Sequence, residues 1–119
     1  MRVVTTGASR GIGRATALKL AADGAEALTL CDVAYLDELE ALAANLRTSG
    51  CKVHALRADM ARPNEPARVV AAALKAMGGI SGIVGNAGIA APAKLVDLDV
   101  ATWDRIFNIR ASCKTLWLS

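Results

Sequence analysis

Four short apolar runs, each followed by a longer stretch of helical period, constrain this chain more than any other feature. The runs are 2–6 (RVVTT), 27–32 (ALTLCD), 52–58 (KVHALRA) and the short GIVG at 82–85. Between them apolar residues recur at three- and four-residue spacing, and Gly, Asp or Asn marks most junctions, so the order reads βαβαβαβα. A helix between two consecutive strands makes those strands parallel, and right-handed crossovers send the helices to both faces of the sheet. The predicted fold is therefore α/β, a doubly wound parallel sheet with strand order 3-2-1-4. A ligand crevice is expected beyond the carboxyl ends of strands one and four, where the winding reverses.

The helices follow from the same pattern. The first is expected to begin near Gly11, to turn Ile12, Ala15, Leu18 and Leu20 towards the sheet, and to stop at Asp23-Gly24. The second, at 35–49, places Leu36, Leu39, Leu42, Ala43 and Leu46 on one face and Asp37, Glu38 and Glu40 on a solvated one, with Gly50 as its stop. The third follows Pro63 and runs to Met77, where Gly78-Gly79 ends it; a fourth is expected from about Val100 onward, capped by Asp99.

A length of 119 residues suits one domain, and a chain that is 54% apolar, rich in aliphatic residues and poor in aromatic ones can bury a core. Its net charge of +3 comes from basic residues scattered between Arg2 and Lys114, which gives no basic face for nucleic acid. The opening residues lack the pattern of a secretory signal and no apolar run reaches membrane-spanning length, so a cytoplasmic location is expected. Cys31, Cys51 and Cys113 show no metal-binding or disulfide spacing and read as reduced, half-buried filler, with Cys31 and Cys51 at opposite ends of the sheet. His54 has no second ligand nearby and reads as a packed or half-exposed strand residue, so no metal site is expected.

The turn after strand one, TTGASRGIG, holds Gly7, Gly11 and Gly13 beside the expected crevice. The first turn of a helix leaves N–H groups unpaired and carries positive partial charge, so a pyrophosphate fits there if no Cβ stands in its way. The same glycines also suit tight packing of strand against helix, and both readings are compatible with the spacing.

The spacing T-G-x-x-x-G-x-G, in Thr6-Gly7-Ala8-Ser9-Arg10-Gly11-Ile12-Gly13, resembles that of the short-chain dehydrogenase/reductase family. The resemblance extends through Asp32, Ala58-Asp59-Met60, Asn86-Ala87-Gly88 and Trp103-Asp104-Arg105-Ile106-Phe107. It implies a Rossmann-type dinucleotide-binding domain over 1–119 and an NAD(P)-dependent oxidoreductase that interconverts an alcohol and a carbonyl by hydride transfer. By the same resemblance, the glycine turn from Gly7 through Ser9, Arg10, Gly11, Ile12 and Gly13 holds the cofactor. Asp32 takes the adenosine ribose hydroxyls and repels a 2′-phosphate, which favours NAD over NADP, whereas Arg10 is placed to attract that phosphate. Asp59, with the Met60 backbone beside it, reaches the adenine amino group, although a turn-forming Asx role also suits it. Asn86, Ala87 and Gly88 line the crevice. Ser81 and Gly85 depart from the family pattern, and reduced rigidity around strand four is expected.

The family's proton-transfer residues are a Tyr, a Lys four positions later and a Ser. Here the single tyrosine is Tyr35 and the fourth residue after it is Leu39, so these 119 residues contain no Y-x-x-x-K and are expected to be inactive alone. No catalytic residue is assigned. The chain is expected to be the amino-terminal, cofactor-binding part of a longer enzyme, lacking the family's carboxyl-terminal strands, or to pair through its fourth strand with another chain. Arg110 stands seven residues after Trp103, where the family has an asparagine of the proton relay; Asn108 reaches that place only with a helical rotation of about 200°. The helix over 100–119 forms dimer contacts in the family, which implies a homo-oligomer. A catalytically silent nucleotide-binding or subunit-interaction module is the alternative.

Overall fold

The computed structural model describes residues 1–87. It contains β1 (Arg2–Thr6), α1 (Gly11–Ala22), β2 (Ala27–Asp32), α2 (Leu36–Arg47), β3 (Lys52–Arg57), α3 (Glu65–Met77) and β4 (Gly82–Val84). The four strands form one parallel sheet in the order β3-β2-β1-β4. This is the doubly wound, Rossmann-like order expected from the alternation of runs. The expected helix beyond Asp99, together with Gly88, Arg110, Asn108 and Cys113, lies outside the described residues.

Both faces of the sheet are covered, and side-chain alternation along the strands divides the core in two. Val3, Leu28 and Leu30 pack with Ala17 of α1 and Leu39, Leu42 and Leu46 of α2. Val4, Ala27 and Cys31 face the other way, onto Val69, Val70, Ala73 and Met77 of α3. Leu28, Leu30, Leu39 and Leu42 are fully buried, each stabilising the fold by about 1.5–3 kcal/mol relative to an exposed side chain.

Local chemistry sets the ends of the elements. Asp37 and Glu38 lie in the first turn of α2, where they favour its dipole, and Arg47 in the last turn donates from Nε and Nη2 to the Val53 carbonyl at 3.0 and 2.8 Å. That contact ties the end of α2 to β3. Pro66 sits in the first turn of α3, which ends at Gly78 in the left-handed region, φ 75°.

The expectations for α1, for the cysteines and for His54 change. The sheet-facing side of α1 is Gly13 and Ala17, with Leu18, Leu20 and Ala21 partly buried, whereas Ile12 is 76% exposed and Ala15 is exposed as well. Apolar residues surround this helix, so their spacing carries no phase; the close approach of Gly13 to the Gly7 carbonyl and to Asn86 sets it. Cys31 and Cys51 are buried rather than half buried, His54 is exposed on β3 at the edge of the sheet, and burial raises the Cys51 thiol pKa above its ordinary value. Ahead of β4, Ser81 bonds back to Arg2 of β1. Its N–H donates to the Arg2 carbonyl at 2.8 Å, and its Oγ accepts the Arg2 N–H at 2.7 Å.

Candidate functional site

At the carboxyl ends of β1, β2 and β4 the chain leaves a cleft of about 350 Å³, within the range of roughly 300–1,000 Å³ common for small-molecule sites. Gly7, Arg10, Gly11, Asp32, Asp59, Met60, Asn86 and Ala87 line it, together with Cys31, Val33, Tyr35 and Ala58. The site therefore sits at the predicted reversal point of the winding, between β1 and β4.

The three glycines of the first turn are bare for three different reasons. Gly7 has φ 64°, and a Cβ on it would lie 3.0 Å from Ala87 Cα. A Cβ on Gly13 would lie 2.1 Å from the Gly7 carbonyl oxygen and 2.6 Å from Asn86 Nδ2, so Gly13 serves the packing of helix on strand. Gly11, which also lines the cleft, has φ 58° and, alone of the three, nothing within 4 Å of the Cβ position. The first turn of α1 that follows has no capping side chain and no acidic residue.

Thr6, the first residue of the glycine motif, joins this turn to the end of β4. Its buried Oγ1 accepts the N–H groups of Asn86 and Ala87 at 3.0 and 2.9 Å, and Asn86 Nδ2 donates to the Gly7 carbonyl at 3.2 Å. Two segments far apart in sequence thus share one small hydrogen-bonded unit.

Asp32 ends β2 with its carboxylate against backbone. Oδ2 accepts the Ser9 N–H at 3.2 Å, and Oδ1 accepts those of Val33 and Ala34 at 2.7 and 3.4 Å. A carboxylate offers about four acceptor positions, so Oδ2 retains capacity on the cleft side. Asp32 therefore both caps the end of β2 and lines the cleft with charge. Ser9 is buried, with Oγ donating to the Ala34 carbonyl at 3.3 Å. Ser9, Ile12 and Gly13 do not line the cleft, although the resemblance grouped them with residues that do.

Arg10 is held at the rim. Its guanidinium lies 4.3 Å from the centroid of the Tyr35 ring, and its Nε is 3.7 Å from Glu38 Oε2. Glu38 is exposed, as the solvated face of α2 requires, but it is paired, which its place in an acidic run did not reveal. Tyr35 is the one described non-glycine residue in the left-handed region, φ 56°, a conformation that costs about 1 kcal/mol or more.

Opposite lies the loop from β3 to α3. Ala58 and Met60 are buried, and Asp59 between them lines the cleft. Asp59 Oδ1 accepts the Ala61 N–H at 3.0 Å, an Asx turn, and Arg62 Nε stands 3.9 Å from Oδ2. The Asp59 N–H donates to Glu65 Oε2 at 3.3 Å. Hydrogen bonding from Arg68 holds the Glu65 carboxyl below the ordinary range, against an opposing effect of burial.

Among the described residues, no three His, Cys, Asp or Glu side chains converge as metal ligands, and no helix is long and apolar enough to cross a membrane.

Comparison with known proteins agrees with this geometry. The family model for short chain dehydrogenases matches residues 1–114. A cis-4-hydroxycyclohexanecarboxylate dehydrogenase of Sinomonas cyclohexanicum is 40% identical over 107 residues, covering 89% of this chain and 42% of the relative. A short chain dehydrogenase from Burkholderia cenocepacia, solved in complex with NADP, superposes with a TM-score of 0.91 at 33% identity, covering 97% of this chain and 46% of the other. One from Burkholderia phymatum, solved in complex with NAD, gives 0.87 at 30%, covering 97% and 40%. The chain spans about two fifths of the length of the curated relatives it matches. With the glycine turn, the strand order and the family match in agreement, this chain belongs to the short chain dehydrogenase family.

Proposed function

We propose that residues 1–119 form the dinucleotide-binding domain of an oxidoreductase that interconverts an alcohol and a carbonyl, with NAD preferred over NADP. The observation that carries this reading is the pairing of the open backbone at Gly11 with the Asp32 carboxylate across the same cleft. The residues present fit such a cofactor. The diphosphate would lie on the uncapped first turn of α1, where Gly11 lets it approach the backbone N–H groups. Oδ2 of Asp32 would accept from the adenosine ribose, Asp59 and Met60 would border the adenine, and Asn86 and Ala87 would border the inner end of the cleft, with Gly88 following in sequence.

When bound, the nicotinamide would accept the hydride from an alcohol or give it to a carbonyl. The chain's own part is to seat and orient it; the proton-transfer pair is absent from these 119 residues, whose Tyr35 is an exposed partner of Arg10. Related structures solved with NAD and with NADP are about equally similar to this chain, so the preference rests on Asp32. Arg10, engaged by Tyr35 and Glu38, offers less to a 2′-phosphate than a guanidinium without those contacts. Residues 100–119 are proposed as the surface for a second copy, on the family resemblance.

A fluorescence titration with NADH and NADPH tests the reading. Asp32→Ala is expected to weaken NADH binding and raise the relative affinity for NADPH; an unchanged ratio overturns the assignment. The 119-residue chain is expected to show no NADH consumption with carbonyl substrates, and measurable turnover would contradict the division of roles proposed for it.

A further inference from the structure

The loop that carries Asp59 is stapled by two charged residues of α3. Arg68 donates from Nη2 to Glu65 Oε2 at 2.7 Å and from Nε to Oε1 at 3.3 Å, and Nη2 also donates to the carbonyl of Arg57, the last residue of β3. Glu65 Oε2 in turn accepts the Asp59 N–H. Just before it, the Ala58 N–H donates to the Asp32 carbonyl at 3.0 Å. Consecutive peptide groups are thus held from opposite sides, one by β2 and the other by α3. With Ala58 and Met60 anchored in the core, the Asp59 Cα has little freedom to move.

We propose that Glu65, braced by Arg68, is a positioning residue for Asp59 and thereby sets selectivity for the adenine 6-amino group of the cofactor. This rests on the reading of the cleft as a dinucleotide site. The reason is geometric. An aspartate has one carbon between its backbone and its carboxyl group, so its oxygens follow the backbone closely, and a hydrogen bond weakens steeply with distance and angle. The Glu65 and Asp59 side chains are only 21% and 14% exposed, which limits the screening of this charged network.

The test compares affinity for NADH with affinity for its reduced hypoxanthine analogue, in which an oxygen replaces the 6-amino group. The wild-type chain is expected to favour NADH by about tenfold, the worth of one hydrogen bond to a charged acceptor. Glu65→Ala is expected to reduce that ratio at least to about threefold while leaving affinity for the analogue within about a factor of two, as the loss of one positioned hydrogen bond requires. If circular dichroism shows that Glu65→Ala does not fold, Arg68→Met, which removes the brace and keeps the carboxylate, is read the same way. A wild-type ratio retained by the folded variant overturns the proposal. Asp59→Ala separates the failures. If it abolishes the ratio and Glu65→Ala does not, only the role of Glu65 is lost. If Asp59→Ala leaves the ratio unchanged, or the wild type shows none, the adenine assignment is overturned and the role of Glu65 falls with it. Absence of binding by both nucleotides overturns the dinucleotide reading itself.

Discussion

The two ends of the cleft are built on different physics. At the glycine turn, position is set by shape: Gly13 fits because a Cβ would meet the Gly7 carbonyl at 2.1 Å, and Thr6 Oγ1 clamps the neighbouring Asn86 and Ala87 backbone. At the end lined by Asp32 and Asp59, position is set by charged side chains, with Asp32 on the Ser9 N–H, Arg10 between Tyr35 and Glu38, and Glu65 on the Asp59 N–H. The difference teaches where each end is vulnerable. Added atoms damage the first, whereas altered charge or pH damages the second.

The largest effect should come from the shape-limited end. Gly13→Ala forces backbone apart and is expected to destabilise the chain by about 3 kcal/mol, read as a lower urea midpoint. Wild-type stability in that variant would break the comparison, because it would mean that the turn yields easily. Gly11→Ala sharpens it. Nothing stands near that Cβ, so only the φ of 58° is penalised, by about 1–2 kcal/mol, while NADH affinity measured by fluorescence falls more than stability does.

At the other end, Asp32→Asn keeps a side-chain carbonyl that accepts backbone N–H groups but removes the charge. It is expected to cost about 1 kcal/mol in a denaturant melt and to move the NADH-to-NADPH affinity ratio towards NADPH. An Asn variant with an unchanged ratio would show that the carboxylate acts only as a cap.

The smallest effect concerns acid. The Glu65 carboxyl is held below its ordinary value in the folded chain, so its stabilisation is fully present above the usual carboxylate range and is lost as pH falls through the lowered folded value. Glu65→Gln should therefore flatten the decline of the melting temperature below about pH 4.5, where an unfolded glutamate takes up its proton. An identical decline in both proteins would show that the charge of Glu65 does not hold that end of the cleft.

Most of the fold was legible because alternation of strand and helix is a repeated, local signal, and parallel pairing with right-handed crossovers leaves few arrangements for it. The phase of α1 was not legible. Its glycine, alanine and leucine residues surround the axis, and the contact that orients it lies with Gly7 and Asn86, the latter far along the chain. The cleft lining was readable at Gly7, Gly11, Asp32 and Asp59, which stand at strand ends in recognisable spacing. The contacts of Thr6, Glu38 and Glu65 were hidden for a common reason. A strand threonine, an acidic residue on a solvated helix face and a glutamate in a first helical turn are ordinary placements, and only the folded chain shows what each one touches.

Calorimetric titration of the well-folded chain with NADH is the most direct test of whether the open turn at Gly11 seats a diphosphate. Saturable heat that disappears when the cleft is first filled with ADP-ribose is the expected result. No heat with NADH or NADPH would contradict it.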